Sequence, residues 1–284
     1  MTTPADLGPV LVTGCSTGIG RVTARHLAER GHLVYATARH VDVLADLADA
    51  GCRTLPLDVT DEASLVAAVE AVEGEHGRVG GLVNNAGYSQ SGPVEEITPE
   101  SLRRQFETNV FGLVRLCQLV LPGMRTAGRG RIVNLSSMGG RMTLPGGGAY
   151  HATKYAVEAL SDALRYEVKG FGIDVVLVEP GPVNTEFGST ANASMADQPG
   201  DGPYADFTAG VDALVAKTYG GEPKGSARPE AIAEVIETAL TTRRPKARYL
   251  VGSTARSIVL AHALLPDRAW DRFLGTQYPK PPTT

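Results

Sequence analysis

Tyr150 and Lys154 stand four residues apart where the glycine-rich stretch "GGGAYHATKYAVEAL" (146–160) turns into a helical run. Residues at i and i+4 of a helix share one face, so the phenol and the ammonium are neighbours. A tyrosine titrates near ~10 and is a poor base at neutral pH. An adjacent ammonium favours the phenolate and draws that titration toward the working range. Such a pair suits a proton given to a carbonyl oxygen or taken from an alcohol, a step worth about 10²–10⁴ in rate. Taken alone, Tyr-x-x-x-Lys is more often the surface of an ordinary first helical turn. His151 follows Tyr150 directly, points elsewhere on the helix and is expected to be a bystander.

A second candidate lies at the other end of the chain. In "TGCSTGIGR" (13–21), Gly14, Gly18 and Gly20 separate an apolar run from a helical one. Glycines let the backbone turn sharply and approach a ligand closely, and a helix N-terminus offers unpaired N–H groups to a pyrophosphate. The spacing is G-x-x-x-G-x-G, not the G-x-G-x-x-G of the commoner dinucleotide fingerprint. A dinucleotide fold chooses its coenzyme at the end of strand two, where an acid binds the ribose 2′-OH and repels a 2′-phosphate. In "LVYATARHVDVL" that place holds Ala38 and then Arg39, whose planar charged fork suits a phosphate. Asp42 falls in the following helix with its side chain expected to point away, and Thr17 adds no second basic residue. The reading is NADP(H), with NAD(H) the lesser candidate.

These residues need a frame. Apolar β-branched runs alternate with helical patterns: "PVLVTG", "HLVYATA", "CRTLPLDV", "VGGLVNNAG", "RIVNLSS", "IDVVLVEPG" and "ARYLVG" read as seven strands. Mostly apolar strands each followed by a helix require a parallel sheet covered on both faces. The expectation is an α/β fold, a doubly wound Rossmann-like sheet of about seven strands, as one domain over residues 1–284. One long helix is expected near 99–126. Residues 187–228, rich in Gly, Ser, Ala and Pro, break the rhythm just after strand six and are read as a substrate lid. A helical extension is expected over about 253–275.

Composition excludes several classes. Net charge is −4 without a basic stripe, so nucleic acid is not an expected partner. The apolar run "SIVLAHALL" (257–265) is too short to span a membrane and is read as a docked helix. Cys15, Cys52 and Cys117 lack metal-ligand spacing and read as reduced thiols, which with no visible secretory signal gives a cytoplasmic expectation. The six histidines are scattered, so no metal site is expected.

Five short motifs join these pieces in order: "TGCSTGIG", "NNAG" (84–87), "NLSS" (134–137), "YHATK" (150–154) and "PGPVNT" (180–185), with "TNVFG" (108–112) between the second and third. Together they resemble the short-chain dehydrogenase/reductase family in its single-domain branch. The resemblance implies a catalytic set of Asn109, Ser137, Tyr150 and Lys154. Ser137 would polarise the substrate oxygen; Ser136 is the competing assignment, and the thirteen-residue spacing to Tyr150 favours Ser137. Asn109 would help hold a water on a proton path to Lys154. For the cofactor the resemblance implies Gly14, Ser16, Thr17, Gly18, Ile19 and Gly20 around the phosphates and Asp58 with Val59 near the adenine. Asn84, Ala86 and Gly87 would run beneath the ribose. Pro180, Gly181, Val183 and Thr185 would hold the nicotinamide end, with Tyr150 and Lys154 beside it.

The implied activity is hydride transfer between NADP(H) and a small-molecule carbonyl or alcohol. An acyl-carrier-protein ketoreductase is the same-fold alternative and would use a basic patch drawn from Arg103, Arg104, Arg125, Arg129 and Arg131. A non-catalytic cofactor sensor is the other class, disfavoured because Tyr150 and Lys154 are both present. The C-terminal part more softly resembles 17β-hydroxysteroid- and retinol-dehydrogenase-like members. With Met138, Met142, Leu144 and Phe187, residues that equally suit plain core, it hints at a bulky apolar substrate. A homodimer or homotetramer is expected, paired through the helices near 99–126 and 150–169. In the second of these, Ala156, Val157, Leu160, Leu164 and Val168 are more apolar positions than one sheet contact requires.

Overall fold

Alternation within three residues shows how the core is built. Val10 and Val12 point to one side of their strand and Leu11 to the other, and all three are fully buried. The computed structural model describes residues 7–183, 202–219 and 227–278. Its strands are β1 (Val10–Val12), β2 (Val34–Ala38), β3 (Arg53–Pro56), β4 (Gly81–Asn84), β5 (Gly130–Leu135), β6 (Ile173–Pro180) and β7 (Arg248–Val251). They form one sheet in the order β3-β2-β1-β4-β5-β6-β7, every pairing parallel.

Parallel neighbours cannot be joined by a tight turn, so helices return the chain. These are α1 (Gly18–Glu29), α2 (Ala45–Asp49), α3 (Glu62–His76), α4 (Pro99–Phe106), α5 (Gly112–Thr126), α6 (Gly148–Val168), α7 (Ala205–Tyr219) and α8 (Pro229–Thr241). On one face Val10, Val12 and Val178 pack with Leu27, Ile232 and Ile236. On the other, Leu11, Leu82 and Leu177 pack with Leu65, Leu116 and Val157. The chain thus buries a helix layer on both sides of the sheet, as the strand composition requires.

The run expected as one helix over 99–126 stays helical throughout, but a π turn over Glu107–Phe111 joins α4 to α5. Such a turn inserts an extra residue into the hydrogen-bond ladder and often marks a functional position. Asn109 sits inside it.

Beyond β7 the chain forms α9 (Ser253–Leu264) and α10 (Asp267–Gln277). Trp270 anchors them: it is buried and packs with Met138, Met142, Ala255 and Val259. Met138 and Met142, expected near a substrate pocket, are therefore core residues beneath this extension, with Leu144 packed against them. The expected lid contributes α7; residues 184–201 and 220–226, with Thr185 and Phe187, lie outside the described residues. No described helix is long and apolar enough to cross a membrane.

Two surface expectations change. Arg131 is buried at the start of β5, paired with Asp174 at 2.6 Å and donating to Thr242 O at 3.1 Å. It sits at the opposite end of the sheet from the strands' carboxyl ends and cannot join a docking patch there. On α6, Val157 and Val168 are buried, Ala156 and Leu164 pack partly against the core, and Leu160 alone of the five expected positions is exposed. Beside Leu160 the outward apolar surface is made by Phe111, Tyr155 and Tyr166, which the helical pattern did not single out.

Candidate active site

The strand order reverses between β1 and β4, and a doubly wound sheet opens its ligand crevice at that point. Both carboxyl ends there are tied together. Thr13 Oγ1 accepts from Asn85 N and Ala86 N, each at 3.0 Å. Asn85 Nδ2 donates to Thr13 O at 2.9 Å and Gly14 O at 3.1 Å. Gly14 takes φ +70°, and a Cβ on it would come within 2.8 Å of Ala86 Cα. A Cβ on Gly20 would overlap Asn85 Nδ2 and Gly14 O. These glycines are required by close approach, not merely by flexibility.

The rest of the loop faces outward. Ser16 and Thr17 are exposed, Gly18 takes φ +57°, and Ile19 packs inward on the core. Thr17 is the N-cap of α1 yet makes no side-chain cap bond, which leaves first-turn N–H groups unclaimed by side chains. Arg21 braces the loop by donating to Ser16 O at 2.7 Å and to Val43 O at 3.1 Å, and it also pairs with Asp46. An array of N–H groups at a helix N-terminus, with no side chain filling it, fits a pyrophosphate. Thr13, Asn85 and Arg21 were missed as site residues. The second asparagine of "NNAG" and the arginine closing "TGCSTGIGR" were the available signals.

Moving along the crevice, Ala38 is buried at the end of β2 and Arg39 is exposed just beyond it. Among the described residues Arg39 makes no ion pair. Asp42 lies exposed in a 3₁₀ turn, Val41–Leu44. Asp58 Oδ1 accepts from Thr60 N at 2.9 Å and Thr60 Oγ1 at 2.8 Å, while Val59 is pressed so close to Gly112 that a Cβ there would overlap Val59 O. Asn84 is the exception among the expected cofactor residues. Its amide donates to Asn134 Oδ1 at 2.9 Å, and Asn134 Nδ2 donates to Ser161 Oγ at 2.9 Å, so the side chain is spent in a buried polar chain. Ala86 and Gly87 continue the strand end, with Gly87 beside Asn109 Oδ1.

The expected catalytic residues converge at the carboxyl ends of β4 and β5 and the start of α6. Lys154 is buried and donates from Nζ to Leu135 O at 2.7 Å. Its Nζ lies 5.7 Å from the centre of the Tyr150 ring. Burial lowers Lys154 to about 8, opposed by the charge of Glu158. Tyr150 is half-buried. Ser137 Oγ accepts from Gly139 N at 3.0 Å and lies 3.5 Å from Pro180 O, on the open side of β5. Ser136 is buried with its hydroxyl packed beneath Gly140.

Asn109 holds this corner together. Its Nδ2 donates to Tyr88 O at 2.9 Å and Thr153 Oγ1 at 3.1 Å, and its Oδ1 accepts from Tyr88 N at 3.1 Å. His151 is more than a bystander: its ring is buried, Nδ1 sits 2.9 Å from Gly139 O, and burial pushes its titration down. It wedges the loop that carries Ser137 against α6. Where the nicotinamide end is expected, Gly181 N donates to Val251 O at 2.9 Å, and a Cβ on Gly181 would meet Ala255 Cβ at 2.8 Å. Val183 packs into the core and forms an isolated parallel bridge with Ala227. The three cysteines are free and buried; burial pushes Cys15 and Cys117 up to about 12 and Cys52 up to about 11, so none is a nucleophile.

Known proteins share this arrangement. Residues 9–196 match the model of the short chain dehydrogenase family. A 3-ketodihydrosphingosine reductase from Bacteroides thetaiotaomicron is 38% identical, covering 91% of this chain and 93% of its own. An NADPH-dependent 3-dehydrocapnine reductase from Ornithobacterium rhinotracheale is 35% identical, covering 92% and 94%. The crystal structure of a short-chain dehydrogenase from Streptomyces avermitilis superposes with a TM-score of 0.78 at 36% identity, covering 94% of each chain. A match that begins at the first strand and runs beyond the sixth, with relatives that align over nearly their whole length, makes this chain a member of the short-chain dehydrogenase family, an oxidoreductase acting on CH–OH and C=O groups.

Proposed function

We propose that the protein is an NADP(H)-dependent oxidoreductase that interconverts a bulky apolar ketone and its alcohol. The observation that carries the reading is the buried Lys154 ammonium held 5.7 Å from the Tyr150 ring, on the helix face that also meets the Ser137 loop. A bound nicotinamide supplies or accepts the hydride. Tyr150 gives its proton to the carbonyl oxygen, while the Ser137 hydroxyl donates a hydrogen bond to the same atom. Lys154, protonated below about 8, favours the phenolate left behind. Because the Asn109 carboxamide is occupied by Tyr88 and Thr153, any water it holds on the proton path is left to the main chain of the π turn.

Arg39 supports NADP(H). It is exposed beside the buried Ala38, where an acid would repel a 2′-phosphate. A charge-assisted pair of this kind is worth about 1.5–3 kcal/mol, or one to two decades of preference. Comparison of kcat/KM with both coenzymes in wild type and Arg39→Ala checks this. The NADPH/NADH ratio should fall by about 10- to 100-fold, and an unchanged ratio would remove Arg39 from the role. The relative named NADPH-dependent points the same way.

A cavity of about 410 Å³ supports a bulky substrate. It lies where α7 and α10 meet the loops after β4 and before α6, lined among others by Val94, Pro145, Phe207, Leu274 and Tyr278. Apolar walls reward apolar surface at roughly 25 cal/mol per Å². Its residues are not those expected; they come from the C-terminal extension, the lid segment and the loops after β4 and before α6. The two relatives named as reductases of 3-keto and 3-dehydro compounds favour reduction. An NADPH-oxidation screen over steroids, retinoids, aliphatic aldehydes and β-ketoesters tests the reading. The value of kcat/KM should climb with apolar bulk; a preference for small β-ketoesters would overturn it.

The protein also pairs with itself in this reading. Phe111 is 54% exposed, Tyr166 86% and Leu160 42%, along the π turn and α6. Apolar groups of this size on one helical layer mark an interface. Light scattering at micromolar concentration should give a dimer or tetramer mass; a monomer mass would sink the idea.

A further inference from the structure

The catalytic pair does not end at Lys154. One turn further along α6, on the same face, lies Glu158, and a turn beyond it Asp162. Glu158 is as buried as Lys154, at 6% exposure. From the sheet, Glu179 near the end of β6 is fully buried on the side that faces α6. Arg248, the first residue of β7, sits among them: its Nε is 2.9 Å from Glu158 Oε2 and 3.1 Å from Glu179 Oε1, and its other arm reaches Asp162. Arg141 approaches Glu179 Oε2 at 3.4 Å. Arg165 holds the outer oxygen of Asp162 at 2.6 Å.

Stability alone is a poor reason for this cluster. Buried ion pairs are often matched or bettered by apolar residues of similar volume, because desolvation offsets their attraction. Glu158 Oε1 also accepts no hydrogen bond from the described residues, an arrangement that costs free energy. The cluster's placement supplies the better reason. Burial drives Lys154 toward its neutral form, and Glu158 is the acid that opposes this.

We propose that Glu158, held by Arg248 against Glu179, is a positioning residue that keeps the buried Lys154 protonated and so sets the upper pH limit of the Tyr150–Lys154 pair. On α6 the titratable neighbours of Lys154 are Tyr150 and Glu158, with His151 beside Tyr150; behind Glu158 lie Arg248 from β7 and, through Arg248, Asp162 and Glu179, which are paired in turn with Arg165 and Arg141. The end of β5 contributes the Leu135 carbonyl, with the Ser136 hydroxyl just beyond it on Gly140. His151 is kept neutral by burial and adds no charge. Glu179 is raised to about 7, first by burial and then by the charge of Glu158, against the pull of Arg141 and Arg248. It therefore gains charge as pH rises through the neutral range. Once ionised it adds negative charge to the Glu158–Arg248 cluster behind Lys154.

The test follows Lys154 itself, in the full chain and without substrate, so it stands or falls apart from the oxidoreductase reading. Lysine side chains are labelled with ¹³C at Cε, and the Lys154 signal is assigned by its loss in Lys154→Arg. In wild type it should titrate near 8. Glu158→Gln should lower that midpoint by about one pH unit, the scale of a nearby opposite charge. Glu179→Gln should lower it by less, and Glu158→Asp should return it close to wild type. With a substrate in hand, the basic limb of the kcat profile should move in parallel. If both glutamine variants leave the Lys154 midpoint in place, or kcat drops equally at every pH with that midpoint unmoved, the cluster only staples the fold. Should Glu158→Gln fail to fold, an unmoved midpoint in Glu179→Gln overturns the proposal by itself.

Discussion

Replacing Tyr150 by Phe should lower kcat by about 10²–10⁴-fold, the range of general acid catalysis, while leaving NADP(H) affinity nearly intact. The substitution removes one oxygen and its proton and keeps the ring. The ring's neighbours are unchanged: the Lys154 ammonium 5.7 Å from its centre and the His151 ring edge-on at 5.7 Å. Thr153 Oγ1 still donates to the Tyr150 main-chain carbonyl at 2.7 Å, so the first turn of α6 keeps its bonds. The loss should therefore fall on the chemical step. Lys154→Ala makes the contrast, because it removes a buried group that is bonded to Leu135 O and is expected beside the cofactor as well. It should weaken both kcat and coenzyme binding. Single-turnover rates and coenzyme titration by fluorescence separate the two quantities. Near-normal kcat in Tyr150→Phe on the best substrate would make the assignment wrong.

Gly20→Ala should weaken NADP(H) binding by at least tenfold, about 1.4 kcal/mol, and lower the melting temperature. The added methyl has nowhere to go. It would overlap Asn85 Nδ2 and Gly14 O, the two atoms that hold the carboxyl ends of β1 and β4 together. Neither is the free end of a flexible side chain. Asn85 is fixed by its bond to Thr13 O, and Gly14 already takes a left-handed φ of +70° with Ala86 against it. The clasp must open, and with it the turn that presents the N–H groups of α1. Gly31→Ala is the control: it too has a positive φ, +84°, but nothing lies within 4 Å of a Cβ there. It should cost about 1 kcal/mol of backbone strain and leave coenzyme affinity unchanged. Equal coenzyme affinity in Gly20→Ala and wild type would show that the clasp does not shape the cradle.

How much of this was legible in the chain differs by interaction range. Parallel strands buried on both faces have to be short apolar runs, and the runs in this sequence mark all seven strands to within a few residues. The Tyr150–Lys154 pair was legible because i and i+4 on a helix are neighbours whatever surrounds them. The glycine loop was legible for a similar reason, since a positive φ at Gly14 and Gly18 is a local demand.

Partners brought together from distant parts of the chain were not. Nothing near Asn84 distinguishes it from Asn85, yet one amide is spent on Asn134 and the other ties Gly14. Met138 and Met142 have the composition of a pocket wall, and only the packing of Trp270 from the far end of the chain makes them core. Arg131 looks like any surface arginine until Asp174 and the Thr242 carbonyl are placed against it. Glu158, Glu179 and Arg248 carry no motif that links them. Local spacing fixes which backbone forms and which neighbours share a face. Burial and charge pairing depend on which strands lie side by side, and that order, 3-2-1-4-5-6-7, exists only once the sheet has closed around its core.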